Sequence, residues 1–152
     1  MSLDAMHEGI QWGFETFPEY LDMIAENGMV LNLAAFIGHS SVRTYVLGQD
    51  APRRVATANE IEQMCDIVRQ AMDAGAIGFA TSTSPSHNGA SGEPMPSRLA
   101  DDNELCALVG VLGECKRGIF MLTKGGGTSI PFLESLAAKT ARPVMIAALL
   151  HN

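Results

Sequence analysis

The stretch MVLNLAAFIGHSSVR, residues 29–43, decides the predicted fold of this chain. It begins as an almost unbroken apolar run, stops at Gly38, and then presents His39, Ser40 and Arg43. An apolar run that ends at a turn residue is typical of a parallel strand buried on both faces, because such a strand has no solvent side. Ligands of α/β proteins bind at the carboxyl ends of these strands. The stretch therefore predicts a strand over residues 29–37 that carries candidate site residues at its end.

The rest of the chain alternates between helical and strand patterns. Capping boxes at Thr16 and Thr57, each with a Glu three residues later, predict helices that end at Gly28 and Gly75. Apolar stripes predict a possible short helix over residues 41–47 and two further helices. One of these starts at Asp101 and ends before Gly118, and the other starts at Thr128 or Ser129. Three more apolar runs predict strands over residues 76–80, 119–122 and 143–150.

Four strands with a helix before each predict an α/β fold of parallel βα repeats. Polar residues follow every strand, so they should share one carboxyl-end rim; they are His39-Ser40, Thr81-Ser82-Thr83, Thr123-Lys124 and His151-Asn152. Four strands cannot close a barrel, which takes eight. We therefore expect residues 1–152 to be a single segment of a larger protein, incomplete at both ends.

The composition of the chain argues against two classes of partner, nucleic acids and membranes, and indicates the cellular compartment. The formal net charge of −7 argues against a nucleic-acid surface, because phosphate backbones need clustered Lys and Arg. No stretch reaches the ~18 apolar residues of a membrane span, so we expect no membrane partner. Three cysteines without Cys-x-x-Cys spacing do not indicate a secreted disulfide framework. A reducing cytoplasm fits this pattern.

The polar candidates are individually ambiguous. The four histidines show no metal-ligand spacing, so the sequence predicts no local metal site. His39 is either a strand-end histidine bonded to nearby backbone or a substrate contact. Arg43 and Arg98 are candidate carboxylate clamps, with surface salt bridges as the alternative. The catalytic residues remain unassigned.

Two polar loops allow a functional and a plain interpretation. Residues 81–99 form a long loop in which Ser82, Ser84, Ser86 and His87 are interpreted as solvated, since no nucleophile-elbow motif is present. The run KGGGTS, residues 124–129, could cradle an anion at a helix start or could be a flexible connection. It matches neither a Walker A loop nor a dinucleotide fingerprint.

Several residue strings resemble the N-acyl-D-amino-acid deacylases, or D-aminoacylases, of the amidohydrolase superfamily. The strings cover nearly the whole chain: FETFPEYL (14–21), NLAAFIGHSSVR (32–43), Ala56-Thr57 with Glu60-Ile61 and Met64, AMDAGAIGFATS (71–82), and PSR (96–98) with Glu104-Leu105. The resemblance implies a partial (β/α)8 TIM barrel of amidohydrolase type. It also implies a metal-dependent hydrolase, usually with zinc, that cleaves the amide bond of N-acyl-D-amino acids, its small-molecule substrates.

The resemblance also indicates where this chain departs from the family. The family's His-x-His ligands and bridging ligand would precede Met1, and its catalytic aspartate would follow Asn152. Its Thr-His ligand position falls on Thr123-Lys124, and its Ile-Ser-His position falls on residues 146–148, where the chain has Ala148. Lys124 could be a ligand only if carbamylated or deprotonated, and Ala148 cannot be one, although a three-residue shift of the register would bring in His151. Zinc binding by this chain is therefore doubtful, and the segment alone should be inactive.

The sequence leaves a set of predicted substrate-binding or site-lining residues and three functions. The residues are His39, Ser40, Arg43, Ser82, Arg98 and Lys124. The first function is a segment of a metal-dependent deacylase. The second is a metal-free amidohydrolase-like binding protein. The third is an independent α/β domain that binds a phosphorylated ligand at Gly125–Ser129. Expressed alone, an open piece of a barrel should self-associate through its exposed strand edges and uncovered apolar faces.

Overall fold

The computed structural model describes residues 8–9, 12–89 and 91–147. The chain divides into two compact units, Met1–Leu33 and Ala34–Asn152. The first unit contains helix α1 (Phe17–Asn27), whose predicted capping box is present. The Glu19 carboxylate accepts a hydrogen bond from the Thr16 amide at 2.8 Å, and the Thr16 hydroxyl accepts one from the Glu19 amide at 3.4 Å. Such caps satisfy amides that have no partner within the helix.

The second unit alternates helices and strands. In chain order its elements are β1 (Phe36–Gly38), α2 (His39–Leu47), α3 (Ala58–Ala74), β2 (Gly78–Ser82), α4 (Asp102–Glu114), β3 (Ile119–Thr123), α5 (Ile130–Thr140) and β4 (Val144–Ile146), with 3-10 turns at Gly48–Asp50 and Pro96–Leu99. Side chains cap three of its helices: Thr57 caps α3, Asp101 caps α4, and Ser129 caps α5. Each such cap contributes about 1 kcal/mol. All the predicted helices are confirmed.

The four strands form one parallel sheet in the order β1-β2-β3-β4. The central pair, β2 and β3, is in register along five residues, from Gly78 opposite Ile119 to Ser82 opposite Thr123. The predicted parallel βα architecture is therefore confirmed. Because all strands run the same way, their carboxyl ends lie at one edge of the sheet.

The two faces of the sheet differ in their covering. Successive strand residues point to opposite faces, and α3 and α4 pack against the sheet and against each other. The covered face carries Phe79, Thr81, Phe120 and Leu122, all buried. The rings of Phe79 and Phe120 stack with centroids 6.1 Å apart. The opposite face presents partly exposed residues, which are Ala80, Ser82, Met121, Thr123 and Met145.

The predicted strand limits were wrong at two places. The strand expected over residues 29–37 exists only as Phe36–Gly38, and Val30 and Leu31 are 102% and 77% exposed. The apolar run is longer than the backbone it can pair with, because β2 begins at Gly78 opposite Phe36. The second strand lies at Gly78–Ser82 rather than at residues 76–80. Residues 148–152, and with them the last part of the predicted fourth strand and His151-Asn152, lie outside the described residues.

In the described part of the chain, no helix has both the length and the apolar character needed to cross a membrane. Cys65, Cys106 and Cys115 are free thiols.

Candidate functional site at the carboxyl ends of the strands

Three strand ends bring predicted site residues to the same rim. His39 and Ser40 follow β1, Ser82 ends β2, and Lys124 follows β3. Buried Ser97 links two of these ends, because its amide donates to Ser40 Oγ at 3.2 Å and its hydroxyl donates to the Ser82 carbonyl at 2.9 Å. The rim is therefore a connected polar edge.

A buried polar network lies behind this rim and is centred on Glu104. His39 Nε2 is 2.7 Å from Glu104 Oε1, and Arg43 Nη1 donates to Glu104 Oε2. The second ring nitrogen of His39, Nδ1, is 2.7 Å from the Thr81 hydroxyl. His39 and Glu104 are each 1% exposed and Arg43 is fully buried. The network therefore joins α2, β2 and α4 in a site closed to water.

The electrostatics of the network assign its protonation states. Burial lowers the pKa of His39 more than its hydrogen bond to Glu104 raises it, so the imidazole is neutral at pH 7. Burial raises the pKa of Glu104, but hydrogen bonds from His39 and Arg43 outweigh it, and that pKa lies below its ordinary value. Nε2–H of His39 then donates to an ionised Glu104, and Nδ1 accepts from Thr81.

The Arg43 guanidinium also binds the segment after α2. Its Nη2 donates to the carbonyl of Arg54 at 2.7 Å and to that of Ala51 at 3.3 Å. Within the described residues no acceptor reaches its buried Nε. One charge pair, Arg43 with Glu104, is thus buried with nearly all its hydrogen-bonding groups paired, as buried charges require.

The structure places His39 and Arg43 differently from the other predicted site residues. Both side chains are enclosed by the network, and the His39 ring packs 5.1 Å from Phe79 on the helix-covered side. Ser40, Ser82, Arg98 and Lys124 are only partly buried. The structure thus supports a positioning function for His39 and Arg43, and their contact with substrate stays a prediction.

Sequence reasoning missed Glu104 as a member of this network. A usable signal was present, since His39 and Arg43 are four residues apart and lie on one face of a helix. Two donors on one buried face need buried acceptors, and one carboxylate can serve both. What the sequence could not indicate is which of the acidic residues supplies it.

The loop after β2 is held by hydrogen bonds along its length. Ser82 Oγ is 2.7 Å from His87 Nδ1, and Arg98 donates to the His87 carbonyl at 3.0 Å and to the Asn88 side chain. The amide of Met95 donates to the same His87 carbonyl at 3.2 Å. Arg98 is therefore bonded to this loop, no salt bridge of Arg98 is formed within the described residues, and its contact with a substrate carboxylate stays a prediction.

The glycine-rich loop after β3 is hydrogen bonded to the loop after β2. The Gly125 amide donates to Thr83 Oγ1 at 2.9 Å, and the Thr128 hydroxyl bonds the same oxygen at 2.7 Å. A Cβ on Gly125 would lie 2.0 Å from the Thr83 carbonyl, so only glycine fits there. Lys124 Nζ donates to the neighbouring Gly125 carbonyl at 3.3 Å. Fewer amides are thus free to bind an anion than the composition of this loop suggested.

Known proteins of similar sequence and structure are D-aminoacylases and a related deacylase. No family model matches the chain. D-aminoacylase of Alcaligenes xylosoxydans xylosoxydans is 39% identical over 79 residues, 52% of this chain and 16% of that protein. The crystal structure of D-aminoacylase, described as defining a novel subset of amidohydrolases, superimposes with a TM-score of 0.68 and 26% identity over 86% of this chain and 26% of that one.

A second enzyme gives the same picture of the fold. N-acyl-D-glutamate deacylase of Bordetella bronchiseptica, in complex with zinc and a phosphonate inhibitor, superimposes with a TM-score of 0.68 and 24% identity over 85% of this chain and 26% of that one. The resemblance to the D-aminoacylases is confirmed. The four βα units match part of the amidohydrolase-type barrel of these relatives, and the chain spans only about a quarter of the solved relatives.

The described residues do not fit a D-aminoacylase metal centre by themselves. Across residues 8–9, 12–89 and 91–147, no three His, Cys, Asp or Glu side chains are grouped closely enough to hold a metal ion. Both ring nitrogens of His39 are engaged, and a protonated Lys124 has no lone pair to offer. The family's other ligand position, Ala148, lies outside the described residues. No catalytic step is therefore assigned to a metal on this segment.

Proposed function

We propose that residues 1–152 are about four βα units of the catalytic barrel of an N-acyl-D-amino-acid deacylase. The single observation that carries this proposal is the parallel sheet whose carboxyl-end rim bears Ser40, Ser82 and Lys124, in a chain that superimposes on D-aminoacylase along 86% of its length. Because 152 residues correspond to about a quarter of that enzyme, the hydrolytic activity belongs to the longer protein. The segment alone is inactive.

The rim residues suit the binding of an acylated amino acid. Such a substrate carries one carboxylate and one amide. Lys124 and Arg98 supply positive charge near the rim, and the Ser40 and Ser82 hydroxyls can donate or accept hydrogen bonds. The Glu104 network fixes the backbone at Thr81, next to Ser82, and at His39, next to Ser40. The segment therefore contributes residues that contact the substrate and residues that hold them in position. The resemblance implies zinc as the metal of the family, and no described residue is assigned as a ligand of it.

A metal-free binding protein is the second candidate, and Lys124 favours it. This lysine follows β3 at the position where the family resemblance expects a histidine ligand. A cation at that position would attract an N-acyl-amino-acid carboxylate without hydrolysing the amide. The phosphorylated-ligand alternative at Gly125–Ser129 has weaker support, because the amides of Gly125 and Thr128 are already hydrogen bonded within the protein.

One assay of the full-length protein separates these functions. Release of free amino acid is measured for a panel of N-acetyl-D-amino acids and their L enantiomers, together with metal content and calorimetric binding. A deacylase hydrolyses the D series, contains metal and loses activity with a chelator. A binding protein binds the N-acetyl-D-amino acids in calorimetry but does not release free amino acid from them. Absence of both binding and hydrolysis would refute both candidates.

Further proposals concern assembly and compartment. Within the described residues, β1 and β4 each pair on one side only, and Met121 and Met145 lie on the uncovered face of the sheet. The segment expressed alone should therefore self-associate, and a stable monomer in sedimentation would contradict this expectation. The three free cysteines are consistent with a cytoplasmic location, which fractionation of the source cells would test.

A further inference from the structure

The pair formed by Ser82 and His87 has the arrangement of a nucleophile and its base. Ser82 Oγ lies 2.7 Å from His87 Nδ1, within the reach that proton transfer requires. The Ser84 amide donates to the same Oγ at 3.3 Å. With His87 in its Nε2–H tautomer, Nδ1 accepts and the Ser82 hydroxyl donates its hydrogen to it. This is the direction of transfer that activates a serine.

The surrounding structure keeps the imidazole in place and leaves it reachable. The His87 amide donates to the Ser84 carbonyl at 3.1 Å, and its carbonyl accepts from Met95 and Arg98. His87 is exposed, and no described residue bonds to its Nε2. His39, in contrast, is buried with both nitrogens engaged. Of the two histidines in the described residues, His87 is therefore the one that can exchange a proton with a substrate or with water.

The position of Ser82 brings this pair to the rim. Ser82 is the last residue of β2, opposite Thr123, and alternation along the strand directs it away from the face where Phe79 and Thr81 are buried. Its carbonyl accepts from buried Ser97, which fixes the strand end. The hydroxyl is thus held at the carboxyl-end edge on a rigid element and not on a free loop.

We propose that Ser82, with His87 as general base, is a nucleophile that accepts acyl groups from activated esters without a metal. Ser82 Oγ bonds to the acyl carbon while its proton passes to His87 Nδ1. The bond from the acyl carbon to the leaving oxygen breaks, and the leaving group takes that proton. Water then attacks the acyl carbon of the acyl-serine and gives a proton to His87 Nδ1. The bond from the acyl carbon to Ser82 Oγ breaks, and Oγ takes that proton, which restores the serine. The step consumes one ester and one water and gives one acid and one alcohol.

The test uses the full-length protein and p-nitrophenyl acetate in excess chelator, so that metal-dependent deacylation does not contribute. We expect a burst of about one p-nitrophenolate per chain, the signature of an acyl-enzyme, and one acetyl group on the Ser82 peptide by mass spectrometry. S82A should abolish the burst, and H87Q should slow it by about 10²–10⁴-fold, the usual contribution of a general base. S86A is the matched control, since Ser86 lies in the same loop and, among the described residues, its side chain bonds to Ser84 and not to Ser82 or His87.

Defined results would overturn the proposal, whatever the outcome for D-amino-acid substrates. These are no burst from the unmodified protein, an acetyl group on another residue, a burst that persists in S82A, or an unchanged rate in H87Q. Circular dichroism of each variant should match that of the unmodified protein. If S82A does not fold, the proposal is tested by the burst rate of H87Q and by the position of the acetyl group in the unmodified protein.

Discussion

The imidazole Nε2 of His39 lies 2.7 Å from Oε1 of Glu104, a residue 65 positions later in the chain, and both side chains are buried. The contact joins the start of α2 to the first turn of α4. Because water does not reach it, the surrounding protein sets the protonation state of both groups. The stability of the fold should therefore respond to pH through these two residues.

We expect the protein to lose stability as the pH falls below about 6.5, the ordinary pKa of histidine. Burial lowers the pKa of His39 in the folded state, so the unfolded chain binds a proton at a pH where the folded chain does not. Glu104, whose folded pKa is also lowered, adds a further loss at more acidic pH. Urea unfolding from about pH 7.5 to about pH 5 measures this slope. H39Q should flatten this slope, and an unchanged slope in H39Q would refute the assignment.

The charge of Glu104 should be more important for stability than that of an exposed acid. E104Q leaves the buried Arg43 guanidinium without its counter-charge, which should lower the free energy of unfolding by about 3–5 kcal/mol. E114Q is the matched control, because Glu114 bonds Arg69 at 2.9 Å between largely exposed side chains, and such pairs contribute about 1 kcal/mol or less. Chemical denaturation measures both variants. A loss in E104Q no larger than that in E114Q would show that Arg43 is satisfied without Glu104.

The sequence predicted those features that depend on local patterns. Capping residues such as Thr57 located the helices, and apolar runs ending in polar residues predicted the parallel sheet and its rim. These succeed because helix caps and strand burial are determined by residues close together in sequence. The prediction of a strand over residues 29–37 was wrong because an apolar run does not indicate how many of its residues can pair with a neighbouring strand. Only Phe36–Gly38 pair with β2.

The long-range contacts of the site could not be predicted. Thr81 and Glu104 lie 42 and 65 residues after their shared hydrogen-bond partner His39. Spacing along the chain carries no information about such pairs. Their chemistry became visible only when the donors and acceptors could be matched one by one.

Gly78 should be indispensable for the pairing of β2 with β3. A Cβ at this position would lie 2.0 Å from the backbone carbonyl oxygen of Ile119, which cannot move without breaking the sheet. G78A should therefore destabilise the protein by about 3 kcal/mol or more, at the upper end of overpacking effects. G110A is the control: nothing lies within 4 Å of an added Cβ there, and alanine in a helix interior should add about 1 kcal/mol. Thermal unfolding measures the stability of both variants. A G78A protein as stable as the unmodified protein would contradict this sheet register.

Lys124 should contribute to substrate binding more than to turnover if the proposed deacylase function is correct. Its amino group lies at the carboxyl end of β3, where Lys124 is partly buried, and within the described residues it donates only to the Gly125 carbonyl. A substrate carboxylate can therefore replace that weak bond. A hydrogen bond to a charged group contributes about 1.5–3 kcal/mol, and K124M should therefore raise KM for an N-acetyl-D-amino acid by about 10–100-fold with little change in kcat. K139M, which removes the same charge from an exposed position at the end of α5, should leave both constants unchanged. A lowered kcat with an unchanged KM in K124M would place this lysine at the reacting amide and not at the carboxylate.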